Sequence, residues 1–437
     1  MKTTRRRFLT TTTAALAAPL ILPASRLFGA DAPSKVIRLG HIGVGGQGTG
    51  LLRNFLGVPG TMSAAIADPF QARRAKAGAA VKERQGHEPK LHNDFRELLA
   101  DESIDAVVIA TPDHWHVPIG LAAVRAGKAV YVEKPLGYTL AQNLAMKQAV
   151  EKHGVVFQYG TQQRSSEICR RGIELVLNGA IGELKQVHVW APSGAGGGSR
   201  AEIPVPEGLD YDLYLGPAPM QPCSADRITS KASWFSTDYA LGFIAGWGAH
   251  PLDFAIWGHD YDGTGPVQFK GTGVFPPATD LFDACTEWDV EIDFGGKVAM
   301  RFVSDNHAAK LAGGYLKKQT RGDGTTFIGS EGWVCIGRGY AEASNPDWLK
   351  LREPMGDRRV HYRPNYYAAF IESVRDGTPS VGPIGDAVRS DSISHLSLLA
   401  IQSGEEVTWD PKAYRILSPD SVAPKMRRDI RGPWLQS

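Results

Sequence analysis

Apolar and amphipathic stretches alternate along the chain between residues 36 and 160. Five short apolar runs predict buried β-strands, at 36–42, 62–67, 106–110, 129–132 and 155–159. Stretches with helical periodicity lie between these runs, and the first two are at 46–55 and 71–84. Because strands that alternate with helices pair in parallel, this part of the chain predicts a doubly wound α/β sheet.

The pattern changes from about residue 185 onward. Four segments are strand-like, namely KQVHVWAP, VEIDF, KVAMRFV and TTFIGSEGWVCIG. Gly295-Gly296 predicts a hairpin turn, and residues 366–376 and 386–403 predict helices. The GAGGG segment at 194–198 opens no helix, so it favours a mobile loop over a phosphate-binding turn. We therefore expect an antiparallel-rich second domain.

The N-terminus has the layout of an export signal. A basic stretch precedes an apolar run that begins at Phe8, and small residues follow at Gly29-Ala30. The order Thr4-Arg5-Arg6-Arg7-Phe8-Leu9 favours a twin-arginine signal, and an ordinary secretory leader with one extra arginine is the alternative. The run is too short and weakly apolar to span a membrane, and no cysteine precedes Cys169 to carry a lipid anchor. We predict a signal peptide at 1–32 and export to the periplasm by the twin-arginine machinery.

Length, charge and cysteine spacing narrow the class of protein. A chain of 437 residues exceeds one ordinary core, so we place a Rossmann domain at 33–160 and a substrate-binding and oligomerisation domain at 161–437. The chain has 48 basic and 46 acidic residues, and five of the basic ones lie in the leader, so a charge of about −3 remains. This balance argues against a nucleic-acid partner. The four cysteines lack metal-binding spacing, so no metal site is predicted, and their disulfide state stays open.

Residues Gly43 to Gly48 match the dinucleotide-binding pattern G-x-G-x-x-G after a strand and at the start of a helix. Gly43 permits the tight turn, Gly45 lets the backbone approach a pyrophosphate, and Gly48 lets the helix pack closely on the strand. The helix N-terminus then faces the phosphate charge. Cofactor contacts are predicted throughout this loop, at Gly43, Gly45, Gly46, Gln47 and Gly48.

Asp68 ends the second predicted strand, twenty residues after Gly48. Its carboxylate can accept hydrogen bonds from both ribose hydroxyls and would repel a 2′-phosphate, which favours NAD over NADP. The alternative is that Asp68 forms a turn or cap before Pro69. Arg73 and Arg74 are near enough in the sequence to weaken the preference for NAD.

Two further strand ends carry polar residues at the edge where ligands of such sheets bind. In ATPDHWHV, Asp113 is expected to be the helix N-cap and His114 to be structural, while His116 either lines the nicotinamide end or packs. In YVEKPL, Lys134 follows a buried strand directly and would lie at the crevice. A strand-end lysine in solvent is the alternative.

Four motifs together resemble the glucose–fructose oxidoreductase, inositol dehydrogenase and MocA family (Gfo/Idh/MocA), namely GVGGQG, ATPDHWH, EKP and GWGAHPLD. VPEGLDYDLYLGPAP, GSEGW and VTWDP are similar to the secreted branch of that family. The resemblance implies a Rossmann domain followed by an α/β domain whose large, open, mostly antiparallel sheet often mediates homo-oligomers. It also implies NAD or NADP as the cofactor, of which Asp68 makes NADP the less favoured, and a sugar, a cyclitol or a derivative as the substrate.

The resemblance also implies roles for individual residues. Lys134 of EKP would be catalytic, and His250 and Asp253 match the family's histidine and the acid three residues later. Contacts with the cofactor or the substrate are implied for residues at the strand ends and in GTQQR, namely Thr111, Pro112, His116, Glu133, Gln163 and Arg164.

Gly246 departs from the family pattern, because many relatives have an aspartate four residues before the histidine. Asp238 or Asp253 could replace that aspartate as a base, and Asp253 could equally orient His250 or be a structural partner. The aromatic residues that could face a sugar ring, unless they simply pack, are Trp234, Tyr239 and Trp247.

The expected chemistry is hydride transfer between a carbinol carbon and nicotinamide. His250 would take the hydroxyl proton, and Lys134 would stabilise the developing alkoxide. Because free dinucleotide is scarce outside the cytoplasm, we expect the cofactor to stay bound and to be restored on the protein. A redox-neutral NAD-dependent glycosidase or lyase is the first alternative, and a sugar-binding protein without chemistry is the second.

Overall fold

A computed structural model of the protein describes residues 36–259, 265–296, 298–312, 322–350, 356–432 and 434. The predicted signal peptide at 1–32 lies outside the described residues. From Val36 onward the chain clusters as one unit, and this unit contains two sheets.

The first sheet is parallel and has the strand order β3-β2-β1-β4-β5-β6. Its strands are β1 (Ile37–Ile42), β2 (Thr61–Ala67), β3 (Lys90–His92), β4 (Ala106–Ile109), β5 (Ala129–Val132) and β6 (Phe157–Tyr159). The helices between them are α1 (Gly46–Leu56), α2 (Gln71–Gln85), α3 (Phe95–Leu99), α4 (Asp113–Arg125) and α5 (Leu140–His153). The five predicted strands and the first two helices are confirmed to within two residues, and the short edge strand β3 was missed.

The second sheet has the order β13-β12-β11-β7-β10-β9-β8-β14-β15. Its strands are β7 (Leu184–Ala191), β8 (Gln268–Val274), β9 (Glu287–Asp293), β10 (Ala299–Ser304), β11 (Gly324–Gly329), β12 (Trp333–Gly337), β13 (Tyr340–Ala343), β14 (Val407–Asp410) and β15 (Arg415–Ser418). The pair β7 and β10 is parallel, and the other described pairs are antiparallel. The predicted fold class is therefore confirmed.

Helices of very different length accompany the second sheet. They are α6 (Glu167–Leu177), α7 (Tyr211–Leu215), α8 (Ala232–Phe235), α9 (Phe243–Gly246), α10 (Ala249–His259), α11 (Asp305–Ala312), α12 (Tyr366–Asp376) and α13 (Ile384–Ser403). The two helices predicted near the C-terminus are confirmed as α12 and α13. Within the described part of the chain, every helix is too short or too polar to cross a membrane.

The glycine-rich turns follow the prediction in part. Gly295 and Gly296 have φ values of 72° and 77° and lie between the antiparallel strands β9 and β10. The segment 194–198 opens no helix, as expected, but Gly197 donates its N–H to Asp280 at 2.8 Å and pairs with Phe282. These contacts hold the segment against a neighbouring loop. The four cysteines are all buried and free.

The C-terminal helices return to the first sheet. Tyr366 and Phe370 on α12 pack against Tyr131 in the core on one face of the sheet. Ile384 and Val388 on α13 belong to the core on the opposite face, as the alternation of side chains along the strands requires. The later part of α13 then enters the core of the second sheet, so this single helix joins the two halves.

Candidate active site

Close backbone contacts shape the glycine-rich turn between β1 and α1. Gly43 has a φ of +81°, and a Cβ there would lie 2.8 Å from the carbonyl oxygen of Ala110. A Cβ on Gly48 would lie 1.9 Å from the carbonyl oxygen of Gly43. Both positions therefore require glycine, one for the turn and one for the packing of helix on strand.

The other side of the same turn is open. A Cβ on Gly45 would approach only the Nη1 atom of Arg73, at 3.7 Å, and a Cβ on Gly46 would meet no described atom within 4 Å. The start of α1 carries unpaired N–H groups and a positive partial charge, which suit phosphate oxygens. The turn thus has both the room and the charge that a dinucleotide needs.

Asp68 directly follows β2 beside this turn and is buried. Its two carboxylate oxygens accept hydrogen bonds from the N–H groups of Val44 and Phe70, each at 2.9 Å. Burial raises the pKa of Asp68, and Arg73 and these two N–H groups oppose the shift. The hydrogen bond from Phe70 forms the turn before Pro69 that was the alternative role of Asp68. The hydrogen bond from Val44 fixes the glycine loop.

A cavity of about 320 Å³ lies between the first sheet and loops that follow β7. The predicted site residues in its wall are Gly43, Gly45, Gly46, Gln47, Asp68, Thr111, Pro112, His116, Glu133 and Lys134. The predicted site residues outside this wall are Gly48, Gln163, Arg164, His250 and Asp253. The structure therefore gathers the residues of the first sheet around one cavity and places the remainder behind or beside it.

The turn after β4 corrects one prediction. Helix α4 begins at Asp113, and its N-cap is Pro112, so the prediction that Asp113 is the N-cap is wrong. Pro112 has a φ of −59° and a ψ of 154°, and this extended backbone takes the cap position one residue earlier. Asp113 is instead in the first helical turn and lines the cavity. Burial raises the pKa of Asp113, and the nearby charge of Lys134 opposes the shift.

The two histidines of α4 have structural contacts. His114 is buried and lies against the ring of Tyr239, with ring centroids 4.9 Å apart, so Tyr239 offers no face to a sugar. The nitrogens of His116 lie 2.7 Å from the carbonyl oxygen of Pro135 and 2.9 Å from that of Thr111. Burial lowers the pKa of His116 to about 4, so the neutral ring donates to one of these carbonyls and links two strand ends.

Glu133 is the centre of a buried hydrogen-bond cluster. Its Oε1 atom accepts from the side chains of Gln47, Gln162 and Tyr131, at 3.1, 2.9 and 3.3 Å. The carboxylate thereby ties the glycine loop to the end of β5. The glutamine that reaches this cluster is Gln162, whereas the prediction named Gln163.

Lys134 projects from the end of β5 toward the second half of the chain. Its Nζ atom donates a hydrogen bond to the carbonyl oxygen of Gly246 at 2.8 Å and lies 4.8 Å above the ring of Trp234. Burial lowers the pKa of Lys134, and the carboxylates of Glu133 and Asp113 oppose the shift. The amine is thus directed into the cavity rather than into solvent, toward Gly246, the position at which the resemblance implied an aspartate.

His250 lies near this amine. It is 3% exposed, and its Nδ1 atom has no hydrogen-bond partner among the described residues. Burial holds the pKa of His250 well below its usual value, and the charges of Lys134 and Arg338 lower it further. The imidazole is therefore neutral at physiological pH, and its Nδ1 atom is a buried nitrogen without a partner among the described residues.

Arg164 and Asp253 form a buried ion pair. The Nε and Nη2 atoms of Arg164 each donate to one carboxylate oxygen of Asp253 at 2.7 Å, and Nη1 donates to Asp386 at 2.6 Å. This geometry favours the structural interpretation of Asp253 over a catalytic one. Asp238, the other candidate base, is paired with Arg227 at 2.5 Å.

Two residues near the site were not anticipated. Arg338, in the turn between β12 and β13, lies 5.3 Å from the ring centroid of Trp247. Asp391 on α13 accepts the N–H of Leu136 at 2.6 Å and the hydroxyl of Tyr159, so it holds the segment that follows Lys134. The segment just before Arg338 was predicted to be strand-like, but nothing in the local sequence indicated what either residue would meet.

The comparisons with known proteins cover most of the chain. Residues 37–161 match the description "Oxidoreductase family, NAD-binding Rossmann fold", and residues 187–436 match "Oxidoreductase family, C-terminal alpha/beta domain". Inositol 2-dehydrogenase 1 of Saccharopolyspora erythraea is 36% identical over 157 residues, which are 35% of this chain and 44% of that protein. A glycosyl hydrolase family 109 protein of the same organism is 36% identical over 122 residues, 27% of each chain. The chain thus spans less than half the length of these curated relatives.

Solved structures share the fold. Scyllo-inositol dehydrogenase from Lactobacillus casei with bound cofactor NAD(H) and scyllo-inositol aligns over 86% of this chain and 99% of its own, with 18% identity and a TM-score of 0.57. A probable dehydrogenase from Thermotoga maritima aligns over 85% and 99%, with 19% identity and a TM-score of 0.57. At these identities the likeness establishes the architecture alone.

Proposed function

The chain belongs to the Gfo/Idh/MocA oxidoreductase family, and from this premise we propose that it oxidises a CH–OH group of a sugar, a cyclitol or a derivative by hydride transfer to a tightly held nicotinamide dinucleotide. The observation that carries the proposal is the Lys134 amine, which is directed into a cavity that also contains the glycine turn. The inositol dehydrogenases among the relatives support the substrate class.

The residues of the first sheet fit a dinucleotide. The open side of Gly45 and Gly46 would take the pyrophosphate, and Asp68 would lie at the ribose end of the cavity. We propose NAD as the cofactor, because the Asp68 carboxylate would repel a 2′-phosphate. Arg73 lines the same cavity and is the residue that could offset this preference. When bound, the nicotinamide supplies the hydride acceptor.

The chain's own residues handle the proton and the charge. The hydroxyl of the substrate would replace the carbonyl of Gly246 as the partner of the Lys134 amine, which would stabilise the developing alkoxide. The free Nδ1 atom of His250 would accept the hydroxyl proton. Because the pKa of His250 is low, it is a weak base, so we expect the proton to leave only as the hydride leaves.

The location of the reaction belongs to the same proposal. The basic and apolar pattern at residues 4–22 supports export by the twin-arginine route, which carries folded proteins. A cofactor loaded before export would be restored by a second carbonyl compound or another electron acceptor. Replacing Arg5 and Arg6 by lysine should retain the protein in the cytoplasm, whereas normal export of that variant would contradict this part of the proposal. Self-association through the second sheet stays a prediction.

A redox-neutral glycosidase is the second candidate, and the glycosyl hydrolase family 109 relatives favour it. In such a reaction one carbon would be oxidised and the acidified α-proton would be removed as the aglycone leaves. Water would then add to the resulting double bond and the carbonyl would be reduced, so no net redox change remains. Purified holoprotein mixed with a glycoside would then release aglycone continuously while absorbance at 340 nm returns to its starting value.

The direct test is the absorbance at 340 nm of purified holoprotein mixed with sugars and cyclitols in the absence of an acceptor. We expect one equivalent of reduced cofactor per active site in the native protein and none in Lys134→Ala, and the variant should still retain the dinucleotide. Lys82→Ala is the matched control, because Lys82 is an exposed lysine on α2 with a surface ion pair. Unchanged turnover in Lys134→Ala would exclude the proposed role of the amine.

A further inference from the structure

Arg338 is an exposed arginine at a hairpin turn of the second sheet. It occupies the two-residue turn of the β12–β13 hairpin together with Gly339, between the paired residues Gly337 and Tyr340. Among the residues that the structure describes, its guanidinium has neither a hydrogen bond nor an ion pair, and its recorded contact is the ring of Trp247 at 5.3 Å. Arginines at such surface turns ordinarily remain in water, so the stacked position needs an explanation.

The hairpin holds this arginine in place. A Cβ on Gly337 would lie 2.1 Å from the ring of Tyr340, so the tyrosine packs directly on the backbone of the turn. The hydroxyl of Tyr340 donates to the carbonyl oxygen of Asp323 at 3.2 Å, which joins the turn to the start of β11. The guanidinium above Trp247 is further restrained by cation–π attraction.

The arginine faces the catalytic side of the molecule. The ring of Trp247, over which Arg338 lies, has its centroid 6.0 Å from that of His250. The charge of Arg338 adds to burial in lowering the pKa of His250 and of Lys134. Each cation lies over an indole, Arg338 over Trp247 and Lys134 over Trp234. Two indole faces and two cations thus border the region where the hydroxyl proton would be taken.

Buried polar atoms without partners lie in the same region. The Nδ1 atom of His250, the Oδ2 atom of Asp323 and both amide atoms of Gln163 are buried and make no hydrogen bond among the described residues. Burial raises the pKa of Asp323, and the charge of Arg338 and the nearby amide of Gln163 oppose the shift. Buried polar groups are rarely left unpaired, so this set indicates a polar ligand.

We propose that the substrate carries an anionic group, a carboxylate or a phosphate on a sugar or cyclitol, and that Arg338 binds it while His250 and Lys134 handle the hydroxyl. This inference rests on the proposed function and deepens it. The guanidinium offers a planar pair of donors that matches such oxygens. A neutral sugar would leave the guanidinium as it is, unpaired above Trp247.

The test measures binding separately from turnover. Binding to the holoprotein would be measured by quenching of tryptophan fluorescence and checked by calorimetry. Glucuronate and glucose 6-phosphate would each be compared with glucose, and galacturonate would be compared with galactose. We expect one anionic member to bind about ten-fold or more tightly than its neutral counterpart, because a charge-assisted, bidentate contact is gained. The carboxylate and phosphate arms identify which anion is recognised.

Variants assign the effect to the residue. Arg338→Met should abolish the preference for the anion, and Arg338→Lys should retain part of it. Binding of the neutral sugar should stay within about two-fold in both variants, since the guanidinium gives it no charge-assisted contact. Arg84→Met is the control, because Arg84 is an exposed arginine in the last turn of α2.

The outcomes separate the two proposals. If no anionic compound is preferred, or if Arg338→Met keeps the preference, the inference is overturned even where neutral sugars reduce the bound cofactor. If anions bind through Arg338 but never reduce the cofactor, the inference stands and the proposed oxidation fails.

Discussion

Replacing Asp253 by asparagine should reduce stability while leaving the chemistry of the folded molecules largely intact. The carboxylate makes a two-point contact with Arg164, at 2.7 Å for each bond. The side chains of Asp253 and Arg164 are 3% and 5% exposed, so water cannot replace the lost contact. Asparagine preserves the shape but turns one acceptor into a donor that faces a guanidinium N–H.

The size of the loss follows from what remains around Arg164. Removing one partner of a buried ion pair costs about 3–5 kcal/mol, because the other charge stays buried. Here Asp386 still holds the guanidinium at 2.6 Å, so we expect the lower end, about 3 kcal/mol. In a chain of this size such a loss lowers the melting temperature by roughly 3–4 °C.

Calorimetry and urea unfolding of the holoprotein would measure the change, with activity expressed per folded molecule. Asp289→Asn is the matched control, because its pair with Arg301 is at the surface and should contribute at most about 1 kcal/mol. A variant at position 253 that melts like the native protein but has lost turnover would refute the structural assignment and restore Asp253 as a candidate base.

Two further predictions concern the glycine turn and the buried carboxylate of α13. Gly48→Ala should weaken dinucleotide binding about 100-fold by calorimetry, since overpacking against Gly43 costs up to about 3 kcal/mol. Gly50→Ala is the control, because Gly50 is an exposed glycine of α1 whose added Cβ would meet no described atom within 4 Å, and it should bind normally; equal affinities for the two variants would contradict the packing argument. Burial raises the pKa of Asp391 to about 7, so the folded state binds more protons than the unfolded state between pH 4 and 7 and stability falls as the pH rises. The free energy of unfolding of the native protein should therefore fall by up to about 4 kcal/mol more over that range than the free energy of unfolding of Asp391→Asn. If both proteins show the same dependence of stability on pH, a raised pKa of Asp391 is excluded.

The first sheet could be predicted from the sequence because its information is local. A strand buried on both faces appears as a continuous apolar run, and 129–132 coincides with β5. The glycine turn was equally accessible, since Gly43 and Gly48 meet atoms of their own strand–turn–helix unit or of the adjacent strand. The N-cap of α4 is Pro112 and not Asp113, because the fixed, extended backbone of the proline fits the cap position without a capping hydrogen bond from a side chain.

The second half of the site could not be read in the same way. Asp391 meets Leu136 across 255 positions of sequence, and no local pattern encodes such a contact. The partner of Asp253 could likewise be named only once Arg164 had been placed beside it. Strand β8 was missed because Gly271 and Gly273 interrupt its apolar alternation, and both glycines lie against neighbouring backbone or side chains.

The return of α12 and α13 to the first sheet sets an order of events during translation. A nascent chain that has emerged only to residue 160 has all six strands of that sheet, yet it lacks Tyr366, Phe370, Ile384 and Val388, which complete the cores on both faces. Apolar surface on each side would therefore remain open to chaperones until about residue 390 has left the ribosome. The segment that begins with the nucleotide turn is thus among the last to reach its finished form.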